Sequence, residues 1–163
     1  SRLIINANGE PERFRDFGLP VVAGGIEDSG PLAGLLAAMN WALAHTSASW
    51  LLSVSTDTPF LPRDLAENLH AAANGRPAVA MSAGRLHPVV GLWPLALHGE
   101  LDRALAGRRL SVEKFAQSIE AIAVPFTLRT IGALALDPFF NANTPGELAE
   151  AEAIVAHVNE TGA

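Results

Sequence analysis

Apolar and polar positions fall in short blocks along the chain, and the blocks predict strands alternating with helices. Arg2–Ile5 (RLII) predicts a strand closed by Gly9 and Pro11, and Pro20–Ala23 (PVVA) predicts a second. Gly30-Pro31 opens a helix, in which Leu32, Leu35, Leu36, Met39 and Leu43 repeat at the i, i+3, i+4, i+7 spacing of a core-facing stripe. A third strand is predicted over Trp50–Val54, followed by a helix over about residues 63–73. Ala78–Met81 and Pro88–Trp93 predict strands on either side of the loop Ser82–His87.

The second half continues the alternation. Leu95–Ala106 predicts a helix stopped by Gly107, Ser111–Ser118 another, and Ala121–Val124 and Gly132–Leu136 further strands. Thr144-Pro145-Gly146-Glu147 is a capping box with proline in the first turn, and Leu148, Ala151, Ile154, Val155 and Val158 give the last helix an apolar face. This alternation predicts an α/β fold with a mainly parallel sheet, helices on both faces and a small antiparallel element in the middle.

Composition narrows the class. The 163 residues predict a single domain, and 49% hydrophobic with 17% charged residues describes a globule with a core. Without cysteine there is no disulfide framework, thiolate metal site or cysteine nucleophile, which is compatible with the cytoplasm. No apolar run approaches the roughly 20 residues that span a bilayer. The formal net charge of −6 argues against broad nucleic-acid binding. Lys114 is the only lysine beside ten arginines, so phosphate recognition must use arginine, backbone amides, helix N-termini or a metal.

Polar residues recur just beyond apolar strands: Asn6 and Asn8, Asp28, Asp57, His87, and Asn141 and Asn143. In a parallel sheet the strand ends gather on one edge, where ligands bind. In LLSVSTDTPFLP (Leu51–Pro62) an apolar strand runs into Asp57, and Pro59 and Pro62 forbid further pairing. Such an aspartate either initiates a turn or holds a hard cation whose other positions go to water and substrate phosphates. Asp28 either complements the dipole of the following helix or contacts a ligand. His87 reads as a solvent-facing loop residue, an acid/base group or a phosphate contact. Arg108-Arg109 reads as a solvated helix end or a phosphate clamp. Asn141 and Asn143 either shape a turn or read a heterocycle's donor and acceptor edge. Serine-hydrolase, H-E-x-x-H and G-x-G-x-x-G signatures are missing, and no serine stands in a strand–turn–helix elbow with a paired histidine.

Six segments together resemble the molybdenum cofactor guanylyltransferase family, within the nucleotidyltransferases of Rossmann-like fold. They are IINAN (Ile4–Asn8), IEDSGPLAGLLAAM (Ile26–Met39), LLSVSTDTPFLPRDLAENL (Leu51–Leu69), GRLHPVVGLW (Gly84–Trp93), GRRLSVEKF (Gly107–Phe115) and FNANTPGEL (Phe140–Leu148). They occur in the family's order over nearly the whole chain. GPLAG and DTP are shared with other nucleotidyltransferases, and the combination with HP and NANTPGEL is specific. The resemblance implies Mg²⁺-dependent transfer of GMP from GTP to the molybdenum–molybdopterin cofactor, with release of pyrophosphate. It implies Asp57 as the metal-binding catalytic residue, Asn6 and Asp28 on the guanine nucleotide, and His87, Arg108, Arg109, Asn141 and Asn143 on the pterin side. Transient contact with cofactor-biosynthesis proteins or recipient molybdoenzymes is implied too. The family's opening strand and glycine-rich loop, of the form LAGGxSxRMGxDK, do not occur here, so a segment preceding residue 1 is expected. Transfer from CTP or a sugar phosphate, and a non-catalytic pterin-binding module, are the alternatives.

Overall fold

A computed structural model describes residues 2–24, 30–107, 111–131 and 134–161. The elements run β1 (Ile5–Asn6), a 3₁₀ helix (Pro11–Phe17), β2 (Val21–Val22), α1 (Gly30–His45), β3 (Trp50–Ser53), α2 (Leu65–Ala73), β4 (Ala78–Ser82) and β5 (Arg85–Pro94). A 3₁₀ turn (Leu95–Leu97), α3 (His98–Ala106), α4 (Val112–Ser118), β6 (Ile122–Phe126), β7 (Arg129–Ile131), β8 (Leu134–Leu136) and α5 (Pro145–Thr161) complete the order.

The central sheet has the order β3-β5-β4-β6. Strands β3, β4 and β6 run one way, and β5 is antiparallel to both of its neighbours. The mixed α/β class with a mainly parallel sheet is therefore observed, and β5 is its antiparallel member. Because β5 runs in reverse, its beginning lies at the same sheet edge as the ends of β3 and β4. Two smaller ladders stand beside it: β1 with β2, parallel, and β7 with β8, antiparallel. Helix α1 packs on β1, β2 and β3, and so spans the small parallel ladder and the edge of the central sheet.

Side-chain alternation along the strands sends residues to two cores. On one face Val79 and Trp93 pack with Leu32, Leu35 and Met39 of α1 and with Leu101 and Phe115 of α3 and α4. On the other, Ala78, Ala80, Val90 and Leu92 meet Leu65 and Leu69 of α2. Burying each such leucine contributes about 1.5–3 kcal/mol, so this two-sided packing fixes the register of the sheet. Gly91 is needed where it stands, since a Cβ there would lie 2.8 Å from the Trp93 indole. That indole donates to Ser53 Oγ at 2.9 Å, and Ser53 Oγ in turn donates to the Val89 carbonyl at 2.6 Å, tying β3 to β5.

Three expectations need correction. The loop predicted over Ser82–His87 is only a two-residue turn, with Ala83 and Gly84 at φ 46° and 77°, and Arg85 to His87 belong to β5. Positive φ at both central residues suits the twist of a tight hairpin, and Pro88 falls inside the strand because the ladder shifts register there. Proline has no N–H to donate, and the irregularity removes the need for one. The predicted helix face of α5 is divided: Ala151 and Ile154 are buried, whereas Leu148 and Val155 are exposed beside a cleft. Leu43, expected in the α1 stripe, is 51% exposed. The 3₁₀ helix and β7 had no clear signature in the sequence.

Candidate active site

The end of β3 is shaped by its own turn. Thr58 Oγ1 donates to the Ser55 carbonyl at 2.7 Å, and Pro59 prevents the strand from continuing. This leaves Asp57 at the carboxyl edge of the sheet. Its backbone carbonyl accepts the Ala142 amide at 2.9 Å, and its Oδ2 accepts a long bond from Asn141 Nδ2 at 3.4 Å. Oδ1 is buried and has no hydrogen-bond partner among the described residues. A buried carboxylate oxygen left unpaired is costly unless a proton donor or a cation completes it.

Next to Asp57 lies an open cleft of about 470 Å³, with Thr56, Pro59 and Ala142 on one side and Leu148, Ala151 and Val155 of α5 on the other. Helix α5 is anchored at this point by its capping box. Glu147 Oε2 accepts the Asn143 and Thr144 amides at 3.0 and 2.8 Å, and Thr144 Oγ1 accepts the Glu147 amide at 3.2 Å. The NANTPGE segment therefore does two local jobs: it caps a helix and stitches it to Asp57.

His87 sits on the same edge. It is half-buried, which removes it from the solvent-facing loop role weighed from sequence. In register it faces Ala80 across the β4–β5 hairpin, so its side chain shares a face with Ser82, two residues on. His87 Nε2 lies 2.7 Å from Ser82 Oγ, which is 2.7 and 2.8 Å from the two oxygens of Asp137. The Phe139 ring lies against the imidazole with centroids 4.7 Å apart, and the Phe139 amide donates to Asp137 at 2.9 Å. Burial pushes the His87 imidazole below its ordinary value; Asp137 opposes that shift and Arg85 adds to it.

Asp137–Asn143 is the segment that joins these features. Its first residue holds Ser82, and Asn141 and Ala142 hold Asp57. Asn6 is placed otherwise. Its amide donates to the Val22 carbonyl at 3.1 Å, and its Oδ1 packs against Gly34 of α1 so closely that a Cβ there would collide with it. Asn8 Oδ1 accepts the Gly24 amide at 3.0 Å. Both asparagines thus fasten β1 to the chain around β2 and the start of α1. Asp28, Arg108 and Arg109 lie outside the described residues. Ser82 and Asp137 were missed from sequence. Their only signal was a polar residue ending each of two apolar strands, a position that many surface residues share.

The sequence matches the MobA-like NTP transferase domain over residues 1–122. A molybdenum cofactor guanylyltransferase from Rhodopseudomonas palustris (strain BisB5) is 46% identical over 158 residues, which is 93% of this chain and 73% of that protein. The chain belongs to the molybdenum cofactor guanylyltransferase family. Another relative of that name, from Acidiphilium cryptum (strain JF-5), is 47% identical over 91% of this chain and 71% of its own length. Among solved structures, the molybdopterin-guanine dinucleotide biosynthesis protein A of Archaeoglobus fulgidus shares the fold, with a TM-score of 0.66 and 17% identity over 94% of this chain and 78% of that one. A protein from Aquifex aeolicus VF5 gives a TM-score of 0.69 at 19% identity, covering 86% and 70%. As a family member the chain is a nucleotidyltransferase, and Asp57, Asn141 and His87 stand at the sheet edge where this fold class binds ligands. None of the helices described is long and apolar enough to cross a membrane.

Proposed function

We propose that this transferase moves GMP from GTP onto the terminal phosphate of the molybdenum–molybdopterin cofactor. A phosphate oxygen of the pterin substrate attacks the α-phosphorus of GTP, and the bond to the bridging oxygen breaks. The products are the guanine dinucleotide cofactor and pyrophosphate. The observation that carries the reading is Asp57 Oδ1, a carboxylate oxygen at the carboxyl end of β3 that is buried without a donor among the described residues.

The residues fit a hard divalent cation bound through a single protein carboxylate, because Mg²⁺ commonly takes one or two carboxylates and leaves the rest to water and phosphates. Asp57 would hold it, with Asn141 steadying the second carboxylate oxygen. When bound, the ion supplies positive charge to the phosphate oxygens as charge builds there. Asn6 and Asp28 are assigned to the nucleotide side, and His87, Arg108, Arg109, Asn141 and Asn143 to the pterin side. A chain of net charge −6 needs such local cationic groups to hold two anionic substrates together.

The test is Asp57→Asn in the full-length enzyme, with Mg²⁺ titrated and pyrophosphate release followed. The substitution keeps the shape and can retain the contact with Asn141 while removing the charge. Turnover should fall about 10²- to 10³-fold at every Mg²⁺ concentration, with the fold retained. Near-normal turnover at saturating Mg²⁺ would exclude Asp57 as the metal residue.

A further inference from the structure

His87 ends in a hydrogen-bonded chain whose direction can be worked out. The Ser82 hydroxyl carries one proton and faces three acceptors: the two Asp137 oxygens at 2.7 and 2.8 Å, and His87 Nε2 at 2.7 Å. A carboxylate is the stronger acceptor, so the serine proton goes to Asp137. The oxygen of Ser82 then has only lone pairs to offer the imidazole. Nε2 must therefore be the protonated ring nitrogen, donating to Ser82 Oγ. Nδ1 keeps its lone pair and makes no hydrogen bond among the described residues. This differs from a hydrolase triad, in which the carboxylate holds histidine Nδ1 and the serine donates to Nε2. Here the serine proton points away from the histidine, and Ser82 is 2% exposed. It is not set up as a nucleophile.

The surroundings keep this arrangement in place. Asp137 is itself oriented by the Phe139 amide at 2.9 Å, and the Phe139 ring covers one side of the imidazole. Phe126 packs edge-on to Phe139, with centroids 5.3 Å apart. Burial disfavours the protonated imidazolium, so the ring is held neutral near pH 7, with Arg85 reinforcing the effect and Asp137 opposing it. Ser82 of the hairpin and Asp137, 55 residues further along the chain, thus act together to select one tautomer of one ring.

We propose that Ser82 and Asp137 are positioning residues that hold His87 as its Nε2–H tautomer, so that Nδ1 accepts a hydrogen bond from a ring N–H of the pterin substrate. The proposal rests on the assignment of His87 to the pterin side of the cleft. It explains why a neutral acceptor is built at this sheet edge although the substrates are anionic. A cationic histidine would attract phosphate; a neutral acceptor selects for a heterocycle with a donor edge. Asp137 acts only through Ser82, and Ser82 only through His87.

The tautomer can be read directly by nitrogen-15 NMR of the histidine ring in the full-length protein. The wild type should show a protonated Nε2 and an unprotonated Nδ1, and adding a simple pterin should move the Nδ1 resonance. In Asp137→Asn the amide can donate to Ser82 Oγ, which frees the hydroxyl proton for His87 Nε2, so the ring should switch to the Nδ1–H form. In Ser82→Ala, a small buried replacement, the bias should be lost and both tautomers appear. Pterin affinity should fall about tenfold to a hundredfold in Asp137→Asn, and only about twofold in Ser82→Ala, where about half of the rings keep Nδ1 unprotonated, with GTP affinity unchanged in both. An Nδ1–H ring in the wild type, a wild-type Nδ1 resonance unmoved by pterin, or equal losses for pterin and GTP would overturn the proposal. Failure of guanylyl transfer with the tautomers and pterin response as described would instead contradict the functional reading and leave this assignment standing.

Discussion

Asn6 and Gly34 offer a test in which the size of an effect depends on the background. Gly34 lies inside α1, where replacing glycine by alanine ordinarily stabilises a helix by about 1 kcal/mol. Here the three atoms nearest to a new Cβ all belong to the Asn6 side chain, and Oδ1 would overlap it. Gly34→Ala therefore forces one of two responses. Asn6 rotates away and loses its 3.1 Å bond to the Val22 carbonyl, at about 0.5–1.5 kcal/mol, or it stays and the overlap costs about 1–3 kcal/mol. The cheaper response offsets the helix gain, so the single variant should lie within about 0.5 kcal/mol of the wild type in either direction. With Asn6→Ala already present the obstacle is gone, and adding Gly34→Ala should stabilise by about 1 kcal/mol. Urea unfolding of the four proteins in the cycle measures the coupling, provided the m-values agree. Equal effects of Gly34→Ala in both backgrounds would refute the contact. Because Asn6 is assigned to the nucleotide side, Gly34→Ala should also weaken GTP binding while sparing the pterin.

Two further outcomes follow from other parts of the molecule. The His87 imidazole is depressed in the folded state, so the unfolded chain binds its proton more readily; its contribution to stability is present above about pH 6.5 and is lost as the pH falls through the depressed folded value. Thermal unfolding at pH 7 and pH 5 should show this loss, and His87→Gln should flatten that part of the profile; an unaltered profile would contradict the shift. A glycine-rich strand segment of the family's type, joined upstream of β1, should raise the unfolding midpoint and tighten GTP binding. The motive is that α1 packs on both β1 and β3 although no ladder joins those strands among the described residues; unchanged stability and affinity would count against it.

Much of the fold was legible because the strongest patterns are local. The stripe Leu32, Leu35, Met39 became the buried face of α1, and the Thr144–Glu147 capping box formed as its spacing requires. Asp57 was legible for the same reason, since prolines on its C-terminal side announce where β3 must end. His87 was visible as a residue but not in its setting. Its partner Ser82 is fixed by hairpin register, and Asp137 arrives from 55 residues away, a distance over which periodicity carries no information. The true extent of β5 was hidden by Pro88, which ordinarily argues against a strand interior and is tolerated here only because the ladder shifts beside it. Leu148 and Val155 look like core residues from spacing alone; only the packed structure reveals that they line the cleft next to Asp57.

The most direct measurement of the proposed activity is the product itself. Full-length enzyme is incubated with Mg²⁺, the molybdenum–molybdopterin cofactor and an equimolar mixture of GTP and CTP, and the pterin products are weighed by mass spectrometry. The account predicts the guanine dinucleotide as the dominant product, with one pyrophosphate released for each molecule formed and both formed about 10²- to 10³-fold more slowly with Asp57→Asn. A cytosine dinucleotide as the main product, or pterin bound and returned unchanged while GTP stays intact, would contradict it.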